Sequence, residues 1–370
     1  MAAVSGGQTG RRDHWYVLAG YVALTALMTY PLVLHFGRAI PGDGFDGWQN
    51  YWNLWWTRKA LLELGTTPYF TTLLYYPSGV SLAFQTLNPF NSLFSLPIGL
   101  LAGLLPAYNA IAFFSFVVGA FGAYLLARYA LVRTGWRGRW LVWPAFLAGC
   151  IYAFAPFHFA HLLGHMQVFS LEWLPFAVLA LLRGLDHLDQ AGWRLQTVTT
   201  AAAPAALALI LTGLCDWYFA YYLALFTALL AIYRLFGRTL RGQHIAFLAL
   251  SWAGFLLILA PIWLPMIREA GVASYMIPDA AQARDLSADL LAFVTPSEFH
   301  PLWGKAVSAI AGRFTSTVSE RNVFAGFMPL ALGVVAALRL GRRSRFWWVS
   351  TLVFVLCALG PVLHVAGRPS

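Results

Sequence analysis

The chain has 370 residues, 60% of them hydrophobic and 10% charged, with a mean hydropathy of +0.66. A soluble domain carries about 25% charged residues, so the composition excludes a soluble globular protein. The formal net charge of +10 does not point to nucleic acid, because the arginines cluster between apolar runs, where the positive-inside rule puts cytoplasmic loops.

Apolar runs of roughly 20 residues recur along the chain, each long enough to cross a hydrocarbon core as a helix. They lack the alternation of a barrel, so helices must satisfy the backbone. With the groups Arg11/Arg12, Arg133/Arg137/Arg139, Arg234/Arg238/Arg241 and Arg339/Arg342/Arg343/Arg345 inside, spans are predicted at 15–36, 108–132, 141–157, 168–182, 197–214, 217–233, 245–267, 322–338 and 346–363. The first run ends without a small-residue cleavage site and reads as a retained helix. Residues 88–105 contain Pro89 and Pro97 and read as re-entrant or interfacial, since a full crossing would move the Arg133 loop to the other side. The expected fold is all-α and polytopic, with about nine to ten spans in one transmembrane domain over 1–370. Two long outer loops, 37–87 and 268–321, exceed ordinary connections and are therefore expected to be functional. Cys150, Cys215 and Cys357 have no paired spacing and imply neither a disulfide framework nor a metal site.

In chain order, the first chemistry-bearing stretch is 41–56. Asp43 and Asp46 follow the first span, and Trp48, Tyr51, Trp52, Trp55 and Trp56 recur at helical spacing behind them. Such a helix is expected to lie in the membrane interface with its rings at headgroup depth. Asp46-x-x-Gln49 fits an N-cap with a capping-box partner, whereas Asp43, between Gly42 and Gly44, has no such local task and is the better general base. Next, His158, His161 and His165 fall at i, i+3 and i+7, on one helical face. A di-iron histidine box would need further boxes, and the remaining histidines are isolated, so this stretch reads either as a polar outer turn lining a pocket with Gln167 and Glu172 or as interfacial histidines at a helix end. Asp216, between two spans, marks a cavity or caps the following helix. In the second loop, Asp285-x-Ser-x-Asp289 could cap a helix running toward Phe293, and Glu320 beside Arg321 could be an exposed ion pair. Arg38, Arg284, Lys305, Arg313 and Arg321 are outer cations able to hold a lipid phosphate.

The order of a first span followed by an outer loop reading Gly-Asp…Asp…Gln…Trp…Trp-Trp resembles the GT-C class of membrane glycosyltransferases. The likeness extends over the His/Gln turn, Asp216, the second loop and Glu320. It implies transfer of a sugar from a polyprenyl-phosphate-linked donor to a glycan, lipid or protein acceptor on the extracytoplasmic face of the plasma membrane. The base would be Asp43, and Asp46 would orient the acceptor or hold a divalent cation such as Mg or Mn. Gln49, His161, His165, Gln167, Glu172, Asp216, Arg284, Lys305, Glu320 and Arg321 would bind substrate, within surrounding membrane lipids and with no nucleic acid partner. Proteins of this kind often continue beyond the point where this chain stops, so a further C-terminal part is expected. The alternatives are a transporter or flippase of lipid-linked saccharides, or a non-catalytic assembly subunit of the same fold.

Overall fold

The computed structural model describes residues 11–42, 45–277 and 279–369. Helices dominate. They are α1 (Arg11–Met28), α2 (Phe45–Arg58, continued by a π-helical turn Lys59–Leu64), α3 (Pro89–Ala102), α4 (Leu104–Arg133), α5 (Val142–Ala153), α6 (Pro156–Leu162), α7 (Met166–Phe169) and α8 (Leu174–Ala191). There follow α9 (Leu195–Cys215), α10 (Trp217–Phe236), α11 (Gly242–Ile258), α12 (Ala260–Ala270), α13 (Ala280–Asp285), α14 (Gly304–Ala311), α15 (Phe327–Leu340) and α16 (Arg345–Ala358). Two antiparallel strand pairs complete the elements: β1 (Phe70–Thr71) with β2 (Val80–Ser81), and β3 (His364–Val365) with β4 (Arg368–Pro369).

The chain forms two compact units, Met1–Ala153 with Leu162–Val272, and Phe154–His161 with Ala273–Ser370. In the first, α4 is the central helix, packed by α1, α3, α5 and α8. Its buried face includes Gly119, Ala120, Gly122 and Ala123, small residues that let neighbouring helices approach closely, as in membrane bundles. The tightest crossing is at Gly149 of α5, where a Cβ would lie 2.5 Å from the Ala120 carbonyl oxygen and 2.0 Å from the Tyr21 hydroxyl of α1. Tyr21 stacks on Phe146 with ring centroids 4.6 Å apart and donates its O–H to the Phe146 carbonyl at 2.9 Å.

One end of this unit is held by charge. The Tyr129 hydroxyl of α4 donates to Asp186 of α8, and Arg133 lies 3.3 Å from the same carboxylate. Arg234 of α10 donates to both oxygens of Asp189, at 3.2 and 2.8 Å, and His244 of α11 is 3.1 Å from Asp189. Burial opposes ionisation of Asp189, but the hydrogen bond and charge of Arg234, with His244 and Arg241, outweigh it and hold the carboxyl below its usual range. Basic and acidic side chains of α4, α8, α10 and α11 therefore meet at one end of this unit.

Among the described residues, three helices, Leu104–Arg133, Leu195–Cys215 and Trp217–Phe236, are long and apolar enough to cross a membrane. The number is five if each of two broken helices, Arg139–Ala153 with Pro156–Leu162 and Gly242–Ile258 with Ala260–Ala270, is one span. This is fewer than the sequence predicts, for local reasons. The expected span at 168–182 is interrupted at 170–173 between α7 and α8, and residues 322–326 precede α15 without helical structure. Helices α15 and α16, at 14 residues each, reach about 21 Å, short of a hydrocarbon core of about 30 Å. Residues 88–105 divide into α3, N-capped by Asn88, and the start of α4, with a break at Gly103. Helix α3, at 14 residues, is a short apolar helix, in keeping with a segment that does not cross by itself.

The second unit is built of most of α6, α13–α16 and the β3–β4 hairpin. Asp289 is 2% exposed and caps a 3-10 turn, Leu290–Phe293, accepting from the Leu291 N–H at 2.9 Å. It also accepts from the N–H groups of Ala366 and Gly367, at 3.2 and 2.7 Å. The expected cap before Phe293 is thus made by Asp289, and the same carboxylate fastens the hairpin. The long second loop is not structureless: it contains α13, the Leu290–Phe293 turn and α14.

Candidate functional site

The polar residues of α2 fall at positions 46, 49, 50 and 53, an i, i+3, i+4, i+7 stripe on one helical face. This stripe turns into the protein: Asn50 is 3% and Asn53 2% exposed. Gln49 donates through Nε2 to Gln85 Oε1 at 3.1 Å and to Thr86 Oγ1 at 2.8 Å, and Asn53 Nδ2 donates to the Thr86 carbonyl at 3.2 Å. Asn50 Nδ2 donates to the carbonyls of Asp46, at 3.0 Å, and of Gly164. At the head of the stripe, Asp46 Oδ2 lies 2.8 Å from His165 Nε2, and both side chains remain partly open, at 36% and 25% exposure.

Two glycines allow this approach. Gly42 has φ +107°, and a Cβ on it would lie 2.1 Å from the Leu163 carbonyl oxygen. A Cβ on Gly164 would lie 3.1 Å from the Gly47 nitrogen and 3.2 Å from Asp46 Cβ. The 163–165 turn is thereby pressed onto the start of α2. Asp43, the expected base, lies outside the described residues.

Three expectations are corrected here. Asp46 is inside the first turn of α2, and Gln49 bonds to the 85–86 turn rather than reaching back, so the capping box is not formed. The aromatic residues do not form one exposed belt. Trp48 is 57% exposed, but Trp56 is 3% exposed, stacks on Trp52 at 5.9 Å and donates Nε1–H to the Pro68 carbonyl at 2.9 Å. Ala60 and Leu82 close that cluster, with Trp55 against it. The three histidines do not share a helical face either: α6 ends at Leu162, and His165 is the N-cap of α7.

A second polar locus lies at the far end of the same 165–172 segment. Glu172 is fully buried, accepts from Ser115 Oγ at 2.7 Å and lies 3.5 Å from Cys215 Sγ. Ser170 accepts from Asn88 and Asn91, at 3.2 and 2.6 Å, and donates to the Met166 carbonyl at 2.8 Å. Gln167 keeps a buried Oε1 without a hydrogen-bond partner. Asp216, 8% exposed, stands between α9 and α10 and caps α10 by accepting from the Tyr218 N–H at 2.6 Å. Burial raises its carboxyl from 3.8 to about 6, against the lowering effect of that N–H.

The remaining expected residues belong to the second unit. His161 is 1% exposed, packs on the Phe157 ring at 4.2 Å and has a ring nitrogen within 4.8 Å of a Glu320 carboxylate oxygen. Arg321 does not pair with its neighbour Glu320. It donates from Nη2 to both oxygens of Glu298, at 2.8 and 2.6 Å, which occupies it as a phosphate ligand. Arg284, Lys305 and Arg313 of this unit are exposed, as is Arg38 of the first.

Sequence reasoning missed Asn50, Asn53, Asn88, Asn91, Ser115, Ser170 and Cys215. Asn50 and Asn53 carried helical spacing with Asp46 and Gln49, and Asn88, directly before Pro89, carried the signal of a cap preceding a first-turn proline. As donors for a cation, Asp46 and His165 offer one carboxylate and one imidazole, a mixed set that suits manganese better than magnesium, which takes oxygen ligands and water. Comparison with family models, with curated proteins and with solved structures finds no match for this chain.

Proposed function

We propose that the protein is a multi-pass plasma-membrane glycosyltransferase of GT-C type, acting at the extracytoplasmic face with a polyprenyl-phosphate-linked sugar donor. The observation that carries this reading is the partly open Asp46–His165 pair, 2.8 Å apart, at the head of a polar stripe in which Asn50 and Asn53 are buried. In transfer, the acceptor hydroxyl gives its proton to a carboxylate while its oxygen bonds to the anomeric carbon. The carbon–oxygen bond to phosphate breaks, and the electron pair leaves with the polyprenyl phosphate. Asp43 is the proposed base. Asp46, oriented by His165, aligns the acceptor or, with His165, holds a divalent cation. Arg38, exposed in the same unit, is the proposed cation for the departing phosphate, whereas Arg321 is committed to Glu298.

The test is transfer of a radiolabelled sugar from polyprenyl phosphate by the purified chain. Asp43→Asn should lower turnover by about 10²–10⁴-fold, the usual contribution of a general base. Asp46→Asn and His165→Gln should lower it by smaller factors. Full activity in Asp43→Asn removes the base assignment.

One observation favours a second reading, a flippase or transporter of lipid-linked saccharides. Helices α11 and α12 meet at a 75° bend, and the chain is broken again between α5 and α6. Paired broken helices are the usual frame of alternating-access carriers. Proteoliposomes containing a fluorescent lipid-linked saccharide separate the two readings. Loss of protection from an external quencher without any new glycosidic bond would favour transport.

A further inference from the structure

Helix α11 of the first unit stops at Ile258, where Pro261 has no N–H to offer the Leu257 carbonyl. The chain turns there by 75° into α12. Trp263 Nε1–H donates back across the turn to the Leu256 carbonyl at 2.8 Å and fastens it. Helix α12 therefore runs across the direction of α11. It is apolar from Ala260 to Ile267 and charged only at Arg268 and Glu269, yet none of its 11 residues is buried. The β1–β2 hairpin is tied to the far end of this helix, since Ser81 Oγ donates to Glu269 Oε2 at 2.6 Å. The hairpin holds its own tip in shape: the Leu73 N–H donates to Thr71 Oγ1 at 3.1 Å, and the Gly79 N–H to the Tyr75 carbonyl at 3.0 Å. That tip turns Leu73, Leu74, Tyr75 and Tyr76 outward, the two tyrosines at 77% and 84% exposure. No Asp, Glu, Lys, Arg or His stands between Glu63 and Arg128.

We infer that α12 and the hairpin tip together form a platform lying in the interfacial layer of a lipid bilayer. Contiguous apolar surface left open on a folded chain marks a contact with something other than water. Three features make that partner lipid. A helix turned across a neighbouring apolar helix lies along the membrane surface, where an apolar side can sink to the boundary of headgroups and acyl chains. Tyrosine rings, apolar with a polar rim, favour that same depth, and the tip ends in two of them. The uncharged stretch around the tip leaves no ion to desolvate on entry. The Ser81–Glu269 bond keeps the two elements at one level, with the charged end of α12 toward water. The platform shares no residue with the Asp46–His165 pair. It rests on the membrane reading of the chain and not on sugar transfer.

The experiment places a fluorophore on single cysteines of the full chain in nanodiscs of phosphatidylcholine and phosphatidylglycerol. The background is Cys150→Ala/Cys357→Ser, which leaves only the buried Cys215. Quenching is read with iodide from water and with phosphatidylcholine bearing a nitroxide either near its headgroup or near its chain end. Tyr76→Cys and Ile267→Cys should be quenched several-fold more by the headgroup-level nitroxide than by the chain-end one. Their quenching by iodide should be several-fold weaker than at Gln190→Cys, an exposed position near the Asp189 ion pairs. Leu207→Cys, exposed on the long apolar helix α9, should respond to the chain-end nitroxide. All four positions are outside the core, and matching size-exclusion profiles check that each variant is folded. Iodide access at 76 and 267 equal to that at 190, with Leu207→Cys still reached by the chain-end nitroxide, overturns the platform and leaves the membrane reading standing. Shielding of 76 and 267 from both iodide and lipid, as burial against a second copy would give, also overturns it. Failure of the nitroxide lipids to reach Leu207→Cys removes the membrane reading and the platform with it.

Discussion

Asp216 and Glu172 are acids withdrawn from water by different local means. Asp216 is held by its capping bond to the Tyr218 N–H, and burial moves its carboxyl to about 6. A folded value above the unfolded one means that folding binds a proton between about pH 4 and 6. The associated stability is full below that window and is lost as pH rises through it. Two units correspond to about 3 kcal/mol. Asp216→Asn keeps a good cap and loses the titration. Its unfolding midpoint should therefore exceed that of the wild type at pH 7.5 and come close to it at pH 4.5, as measured by detergent-solubilised thermal unfolding. Glu172 depends instead on the Ser115 hydroxyl and the Cys215 thiol. Ser115→Ala should cost about 1–3 kcal/mol, because it removes a donor from a buried carboxyl without removing the carboxyl. The double variant Ser115→Ala/Glu172→Leu should recover part of that loss in the same measurement.

At the scale of elements, α2 and the α4–α5 crossing are the most demanding. Helix α2 has an aromatic and a polar stripe, and its spacing alone predicts an amphipathic helix. Which stripe faces the protein is decided by the partners, the turns at 85–86 and 163–165, which the sequence supplies from far along the chain. The Trp56 side chain is enclosed by Trp52, Ala60 and Leu82. Trp56→Ala should cost about 3–5 kcal/mol and should lower activity only through loss of folded protein, visible as an unchanged specific activity in the folded fraction. Gly149→Ala should be worse tolerated than a helical Gly→Ala change usually is, because the added carbon meets the Ala120 carbonyl and the Tyr21 hydroxyl. A poor yield of monodisperse protein, against a normal yield for Gly254→Ala, where the only neighbour is the Ala206 Cβ at 3.2 Å, is the expected result.

At the scale of the whole molecule, α10 offers the simplest measure of orientation. Its 20 residues cover about 30 Å, from the Asp216 cap to the Arg234 ion pairs. Tyr218 and Phe236, at 65% and 84% exposure, mark its two ends. In a Cys357→Ser background, Tyr218→Cys should react with an impermeant maleimide from the extracytoplasmic side, and Phe236→Cys only after the cytoplasmic side is opened. Labelling of both from one side removes the proposed topology. What the sequence determined by itself is the presence of helices apolar enough to cross a membrane, the helical content, the positions of α4, α9 and α10, the short α3 segment and the Asp289 cap. These depend on hydropathy over a window or on contacts within a few residues. The tertiary structure decided the pairing of Asp46 with His165, the inward turn of the Asn50 and Asn53 stripe, the burial of Glu172 against Ser115 and Cys215, and the commitment of Arg321 to Glu298. Each of these joins groups far apart in the chain, and the energy that selects them comes from packing and desolvation, which no local spacing encodes.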